Sequence, residues 1–149
     1  MREILFRGKT RSGEWVYGGY FKTDNESYII KNTDGIADFA LWDFAEYVIP
    51  ETVGQYTGLT DKKGKKIFEG DIVKAIISIN DYSRDRVRKE EGIYEIKYHT
   101  EHCYFYLAKE GNNLLFDGNW RYYLYEIKVI GNIHDNPELL EGKWKNIII

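Results

Sequence analysis

The stretch "GLTDKKGKKIFEGDIV", Gly58–Val73, sets two glycines and four lysines ahead of an apolar run that Gly70 and Asp71 interrupt. Two readings compete for it. A phosphate-binding loop places four residues between its glycines, follows the second with Lys and then Ser or Thr, and opens a helix. Here five residues separate Gly58 from Gly64, and Lys66 occupies the place of the magnesium-binding hydroxyl. The interruption at Gly70 and Asp71 also leaves no helix N-terminus to face a phosphate. A hairpin meets none of these objections. Asp61 and Gly64 suit the first and last positions of a type I turn, and "TVGQYTGL" and "KKIFEGDIV" supply the two arms.

Working outward, Glu69, Gly70 and Asp71 resemble the bend that leads into the first long strand of SH3-like barrels. There a glycine permits the turn and a carboxylate accepts backbone amides. Toward the N-terminus, "REILFRGKTRSGEWVYGGY" (Arg2–Tyr20) holds two apolar or aromatic segments around turn residues, a second hairpin pattern. Ser27–Lys31 reads as a strand, bounded by Asp24 and Asn25 on one side and Asn32, Asp34 and Gly35 on the other. In "DFALWDFAEYVIP", Phe39, Trp42 and either Ala45 or Phe44 recur at helical spacing, whereas Tyr47–Ile49 must leave the helix before Pro50.

On the C-terminal side, strands are expected at Val73–Ile79, Ile93–His99, Cys103–Lys109 and Tyr122–Ile133, the last with a bend or bulge at Gly131. "NDYSRDRVRKEEG" (Asn80–Gly92) is the most charged stretch and is expected to be a mobile loop. In "DNPELLEGKW", Asn136 suits a helix N-cap, Pro137 the first helical position and Gly142 the residue past the end, which predicts one or two helical turns.

The 149 residues fit one domain or two small β subdomains, and the 43% hydrophobic and 16% aromatic content, with 13 tyrosines, favours strands. A net charge of −3 argues against a general polyanion binder. The lone Cys103 cannot form an internal disulfide, and no apolar run reaches the roughly 18 to 20 residues that span a bilayer. A soluble cytoplasmic protein is the expectation, with no membrane partner and no cofactor.

Candidate chemistry is sparse. His99, His102 and Cys103 in "HTEHC" are the densest set of metal-ligand types, but structural zinc needs four ligands and no second pair is evident. On an uninterrupted strand His99 and His102 would face opposite ways. Cys103 reads as a small residue opening a core strand rather than as a nucleophile, His134 and Asp135 as shapers of the following cap, and Glu69 and Asp71 as no acid/base pair. Nucleic-acid contacts are assigned to Arg84, Arg86, Arg88 and Lys89, with Lys62, Lys63, Lys65 and Lys66 on the hairpin turn. Tyr104, Tyr106, Trp120, Tyr122 and Tyr123 offer stacking surfaces. Asp81, Asp85, Glu90 and Glu91 dilute the arginines. No catalytic, metal or cofactor residue is assigned. Gly58, Asp61, Gly64, Glu69, Gly70, Asp71, Asn136 and Pro137 are read as structural motif residues.

Four segments also belong together as a set: "REI-x-F-R" at Arg2–Arg7, "W-x-YG" at Trp15–Gly18, "TVGQYTGL-x-D-x-x-G-x-x-I-x-EGDIV" at Thr52–Val73, and "VIGNI-x-x-NPEL" at Val129–Leu139. On these the chain resembles the YopX family of phage and prophage proteins. The resemblance spans nearly the whole chain and implies a small β-rich phage or prophage protein. It carries no established activity. The chain departs from the pattern at Gly8–Arg11 and in the tail "KWKNIII".

The expected architecture is mainly β, with bent sheets, an SH3-like or partly open β-barrel, an N-terminal hairpin region and a short C-terminal helix. It forms a single domain over 1–149, with subdivisions at 1–50, 51–142 and 143–149. The expected function is non-enzymatic binding of a host or phage protein. A nucleic-acid-binding module is the alternative, and a small metal-dependent or hydrolytic enzyme stands third. The apolar tail makes a homo-oligomer a further expectation.

Overall fold

In the computed structural model, residues 3–31, 38–81, 86–109, 112–115 and 122–141 are described. The chain divides into two compact units, Met1–Gly58 and Leu59–Ile149.

The first unit is an antiparallel sheet built by short-range turns. β1 (Phe6–Lys9) and β2 (Trp15–Lys22) form the hairpin expected from the sequence, with Lys9 opposite Trp15. Its turn is closed by the Thr10 and Gly13 amides and by the Thr10 hydroxyl, which accepts the Glu14 amide at 3.1 Å. β3 (Ser27–Lys31) pairs with β2, and β4 (Ala45–Val48) with β3. On the other side of β1 lies the start of β5 (Gly54–Thr60), with Phe6 opposite Gln55. The helical spacing around Trp42 becomes a 3-10 helix over Asp38–Phe44, and the chain returns to extended structure before Pro50, as the proline requires.

Period-two alternation sends Val16, Ile29 and Val48 to one face of this sheet, with Phe6, Tyr20 and Val53 packed against them. A second 3-10 segment, Pro50–Thr52, is tied to β1 through the Thr52 hydroxyl, which accepts the Lys9 amide at 2.8 Å and donates to the Ile49 carbonyl at 2.6 Å.

The second unit begins with the hairpin that the opening stretch predicted. The Gly64 amide donates to the Asp61 carbonyl at 2.9 Å, Gly64 has φ +81°, and β6 (Lys66–Phe68) follows. β7 (Asp71–Asp81) lies between β8 and β11 in a five-stranded sheet ordered β10-β9-β8-β7-β11. Its other members are β8 (Arg86–His99), β9 (Tyr104–Lys109), β10 (Asn112–Leu115) and β11 (Tyr122–Asn132). Cross-strand registers align the core: Val129, Val73 and Tyr94 lie side by side, as do Ile96 and Leu107. The sheet is open, since among the described residues no pairing joins β10 to β11.

Several expectations need correction. Asn80–Gly92 is not mainly loop, because β7 runs to Asp81 and β8 starts at Arg86, opposite it. Arg86–Lys89 keep their side chains exposed while their backbone pairs with β7, so the charge that suggested a loop does not prevent pairing. Arg84 lies outside the described residues. The C-terminal helix is a single 3-10 turn, Pro137–Leu139, closed by the Leu139 amide on the Asn136 carbonyl at 3.1 Å. The Asn136 side chain does not cap it. Its Oδ1 accepts the Asn132 amide at 3.4 Å instead.

β10 was not expected at all. Gly131 does mark a bulge, with register shifts at Leu124/Glu126 and Val129/Gly131. Gly142 and the tail lie outside the described residues, as do Asn32, Asp34, Gly35 and Trp120.

Neighbouring glycines on β2 give a sharp test. A Cβ on Gly18 would stand 1.9 Å from the Ile30 carbonyl oxygen, whereas one on Gly19 meets nothing within 4 Å. Gly18→Ala is expected to cost roughly 1–3 kcal/mol and Gly19→Ala about 0.5 kcal/mol or less, read by denaturant unfolding.

Candidate functional site

The lysine-rich hairpin is organised by a carboxylate rather than around a phosphate. Asp61 is buried, and its Oδ1 accepts the amides of Lys63 and Lys65, each at 2.9 Å. Its Oδ2 accepts the Val129 amide of β11 at 3.3 Å. Burial alone raises the carboxyl pKa, but these three amides and the Lys65 ammonium outweigh it and hold Asp61 below the ordinary aspartate value. Lys62 pairs with Glu126.

The Gly70–Asp71 bend works the same way. Gly70 has φ +80°, which a side chain tolerates poorly, its amide donates to the Ile96 carbonyl, and its own carbonyl accepts the Ile133 amide. Asp71 is fully buried and accepts the Phe68 amide at 2.8 Å. Glu69 sits half-buried in the turn before it, and Gly58 has φ +89° within β5. Pro137 opens the 3-10 turn beside Asn136.

The "HTEHC" segment is a turn, so His99 and His102 come together after all. Their ring centroids are 4.8 Å apart, and Tyr104 lies 5.2 Å from His99 and stacks on His102 at 6.1 Å. Tyr106 lies 6.2 Å from both His99 and Tyr104. Cys103 is exposed rather than buried and has φ +55°, with its thiol directed to the Thr100 carbonyl. No group of three metal-ligating side chains is present among the described residues. His134 and Asp135 donate their amides to the Asn132 side chain, which shapes the turn before Asn136 as expected.

The basic residues assigned to nucleic acid are drawn into local contacts. Arg88 pairs with Glu90, and the Lys89 ammonium lies 3.5 Å from the centroid of the Tyr125 ring. Arg86 is exposed. Lys74 pairs with Glu91 at 2.7 Å and Lys97 with Glu95 at 3.4 Å. Tyr122 and Tyr123 open β11, and the placement of their side chains is outside the described residues.

A more prominent surface lies on the first unit. Trp15, Tyr17, Gly19 and Phe21 share the outer face of β2, and their register partners bring Arg7, Lys9 and Tyr28 to that face, with Tyr47 beyond. Tyr17, Phe21, Trp42 and Phe44 are 46%, 42%, 55% and 39% exposed. Trp42 meets Phe21 at 4.9 Å and Tyr28 at 6.3 Å, in both cases at nearly a right angle, and Tyr28 meets Tyr47 at 6.0 Å.

Arg7 lies over Trp15 at 4.8 Å and Arg11 over Tyr47 at 4.5 Å. The Tyr28 hydroxyl donates to Glu26, and that bond, with a little burial and the Glu26 charge, pushes the phenol pKa up. This face was not among the expected sites. Its signal was the i, i+2 recurrence of Trp15, Tyr17 and Phe21.

Two outcomes test these assignments. Asp61→Ala is expected to lose roughly 1–3 kcal/mol at neutral pH by leaving turn and β11 amides unpaired. Because the folded pKa is depressed, that contribution is fully present above the unfolded value of about 3.9 and is lost as pH falls through the folded value. The stability gap between wild type and Asp61→Ala therefore stays level down to about pH 5 and narrows in stronger acid, as followed by urea titrations. For the histidine cluster, chelator is expected to leave the cooperative unfolding midpoint unchanged, since the cores are built from apolar side chains.

No functionally curated protein matches the chain. A similar solved structure is the crystal structure of protein EF1440 from Enterococcus faecalis, 28% identical, with a TM-score of 0.51, covering 95% of this chain and 100% of that one. Residues 5–141 match the family described as YopX protein. Since the match takes in both units and nearly every motif quoted from the sequence, the chain belongs to the YopX family.

Proposed function

We propose that this is a non-enzymatic accessory protein of a phage or prophage that binds a host or phage protein inside the host cell. The observation that carries the reading is the exposure of Tyr17, Phe21, Trp42 and Phe44 on one unit, with the Phe21 and Trp42 rings in contact. Contiguous apolar patches of this kind mark interaction sites, and aromatic anchors dominate the energetics of protein interfaces. No helix among the described residues is long and apolar enough to cross a membrane.

A nucleic-acid module is the weaker reading, because Lys62, Lys74, Arg88 and Lys97 are neutralised by neighbouring carboxylates and the net charge is −3. What favours it is the ring group of His99, His102 and Tyr104, which offers stacking faces. An SH3-like origin for the second sheet belongs to the same proposal, supported by the Gly70–Asp71 bend into the long β7. So does self-association.

The test is retention of proteins from host lysate by the immobilised wild type and by the double variant Phe21→Ala/Trp42→Ala, with circular dichroism confirming that both are folded. A partner held by wild type and lost from the variant is the expected outcome. Equal retention by both, or tight, steeply salt-dependent binding of single-stranded DNA instead, would overturn the proposal.

A further inference from the structure

The ring cluster has a geometry that narrows its partner. Phe21 and Tyr28 are register partners on adjacent strands, and both ring planes stand at about right angles to the Trp42 indole, 89° and 88°. Rings so arranged turn their faces in more than one direction, and a cation is drawn to a ring face by its quadrupole. The same sheet face already holds guanidinium groups, Arg7 over Trp15 and Arg11 over Tyr47. The charge around it is complementary as well. Residues 1–58 carry nine acidic against six basic side chains. Arg7, Lys9 and Arg11 lie over Trp15 and Tyr47, and Lys31 pairs with Glu46. Among the charged side chains, Glu26 accepts the Tyr28 hydroxyl, while Asp43 and Lys22, both exposed, follow Trp42 and Phe21 in the chain.

We infer that Phe21, Tyr28 and Trp42 form a cation-accepting site for an arginine or lysine side chain of a protein partner, with Glu26 as its anionic neighbour. The inference rests on the proposed protein-binding function and goes further by naming the chemistry of the segment bound. A basic peptide gains from the rings through the quadrupole and from the carboxylates through charge. An acidic peptide or a nucleic acid backbone gains from neither.

The experiment titrates a capped tetra-arginine peptide, a capped tetra-glutamate peptide and oligothymidylate into the full chain, read by 1H–15N spectra in which the Trp42 indole signal is assigned from Trp42→Phe. The arginine peptide is expected to shift that indole. Trp42→Ala should weaken its binding about tenfold, Trp42→Phe should keep most of it, and Tyr125→Ala, on the other unit, should leave it unchanged. Retention of the backbone spectrum in each variant separates lost binding from lost fold.

An unshifted indole, undiminished binding by Trp42→Ala, or oligothymidylate shifting the indole as strongly as the arginine peptide would overturn the inference. Capture of an acidic partner through the intact ring face would also overturn it while leaving the protein-binding function in place. Absence of both arginine-peptide binding and ring-dependent capture would remove the two together.

Discussion

The buried carboxylate of Asp61 holds the second unit in register. A charged group out of water is costly, and it persists here because three backbone amides converge on it. Two belong to its own turn and one to Val129, a partner sixty-eight residues away. The same group that closes a local hairpin thus fixes where β11 lies beside it. Asparagine is no substitute. Its oxygen could serve Lys63 and Lys65, but its amide would then be turned toward the Val129 N–H, donor against donor.

From that anchor the rest of the sheet follows by pairing. Val129 aligns with Val73, and Val73 with Tyr94, so fixing β11 sets the inward face of three strands at once. The Tyr94 ring lies over Gly92, where a Cβ would stand 2.7 Å from it. Glycine there lets a large ring fill the core. Toward the far end the β8 side chains from Arg86 to Lys89 are exposed. In register, Ser78 stands opposite Lys89 and Ile77 opposite Glu90.

How much of this could be read from the sequence depended on the range of the interaction concerned. The Asp61–Gly64 hairpin, the Gly70–Asp71 bend and the Gly131 bulge were legible because each rests on the backbone preferences of two or three adjacent residues. The start of β8 at Arg86 was not, since a charged run reads the same in a loop and in a strand whose side chains are exposed. The His99–His102 pairing depended on a turn at Thr100–Cys103 that carries neither glycine nor proline. The third amide of Asp61 comes from β11 and left no mark in the local text. The ring face was the hardest to see. Phe21, Tyr28 and Trp42 stand on two strands and a 3-10 segment, and only the β2–β3 register sets the first two side by side.

The two units handle charge and aromatic surface differently. In the second, cations meet carboxylates at its surface, a core runs from Ile67 to Val129, and the exposed rings of Tyr98 and Tyr125 lie outside it, the latter under the Lys89 ammonium. Surface ion pairs of that kind add little to stability and leave little net field for a partner to sense. In the first, the core is small, six apolar side chains on one sheet face, while the opposite face carries rings with cations laid over two of them. A sheet that needed those rings for its own stability would bury them. Phe21 and Trp42 instead pack on each other edge to face and stay open to water. Their mutual contact gives them a fixed orientation without burial, and a pre-oriented ring loses less freedom when a guest binds. That is the physical reason for placing recognition, under the proposed function, on the first unit.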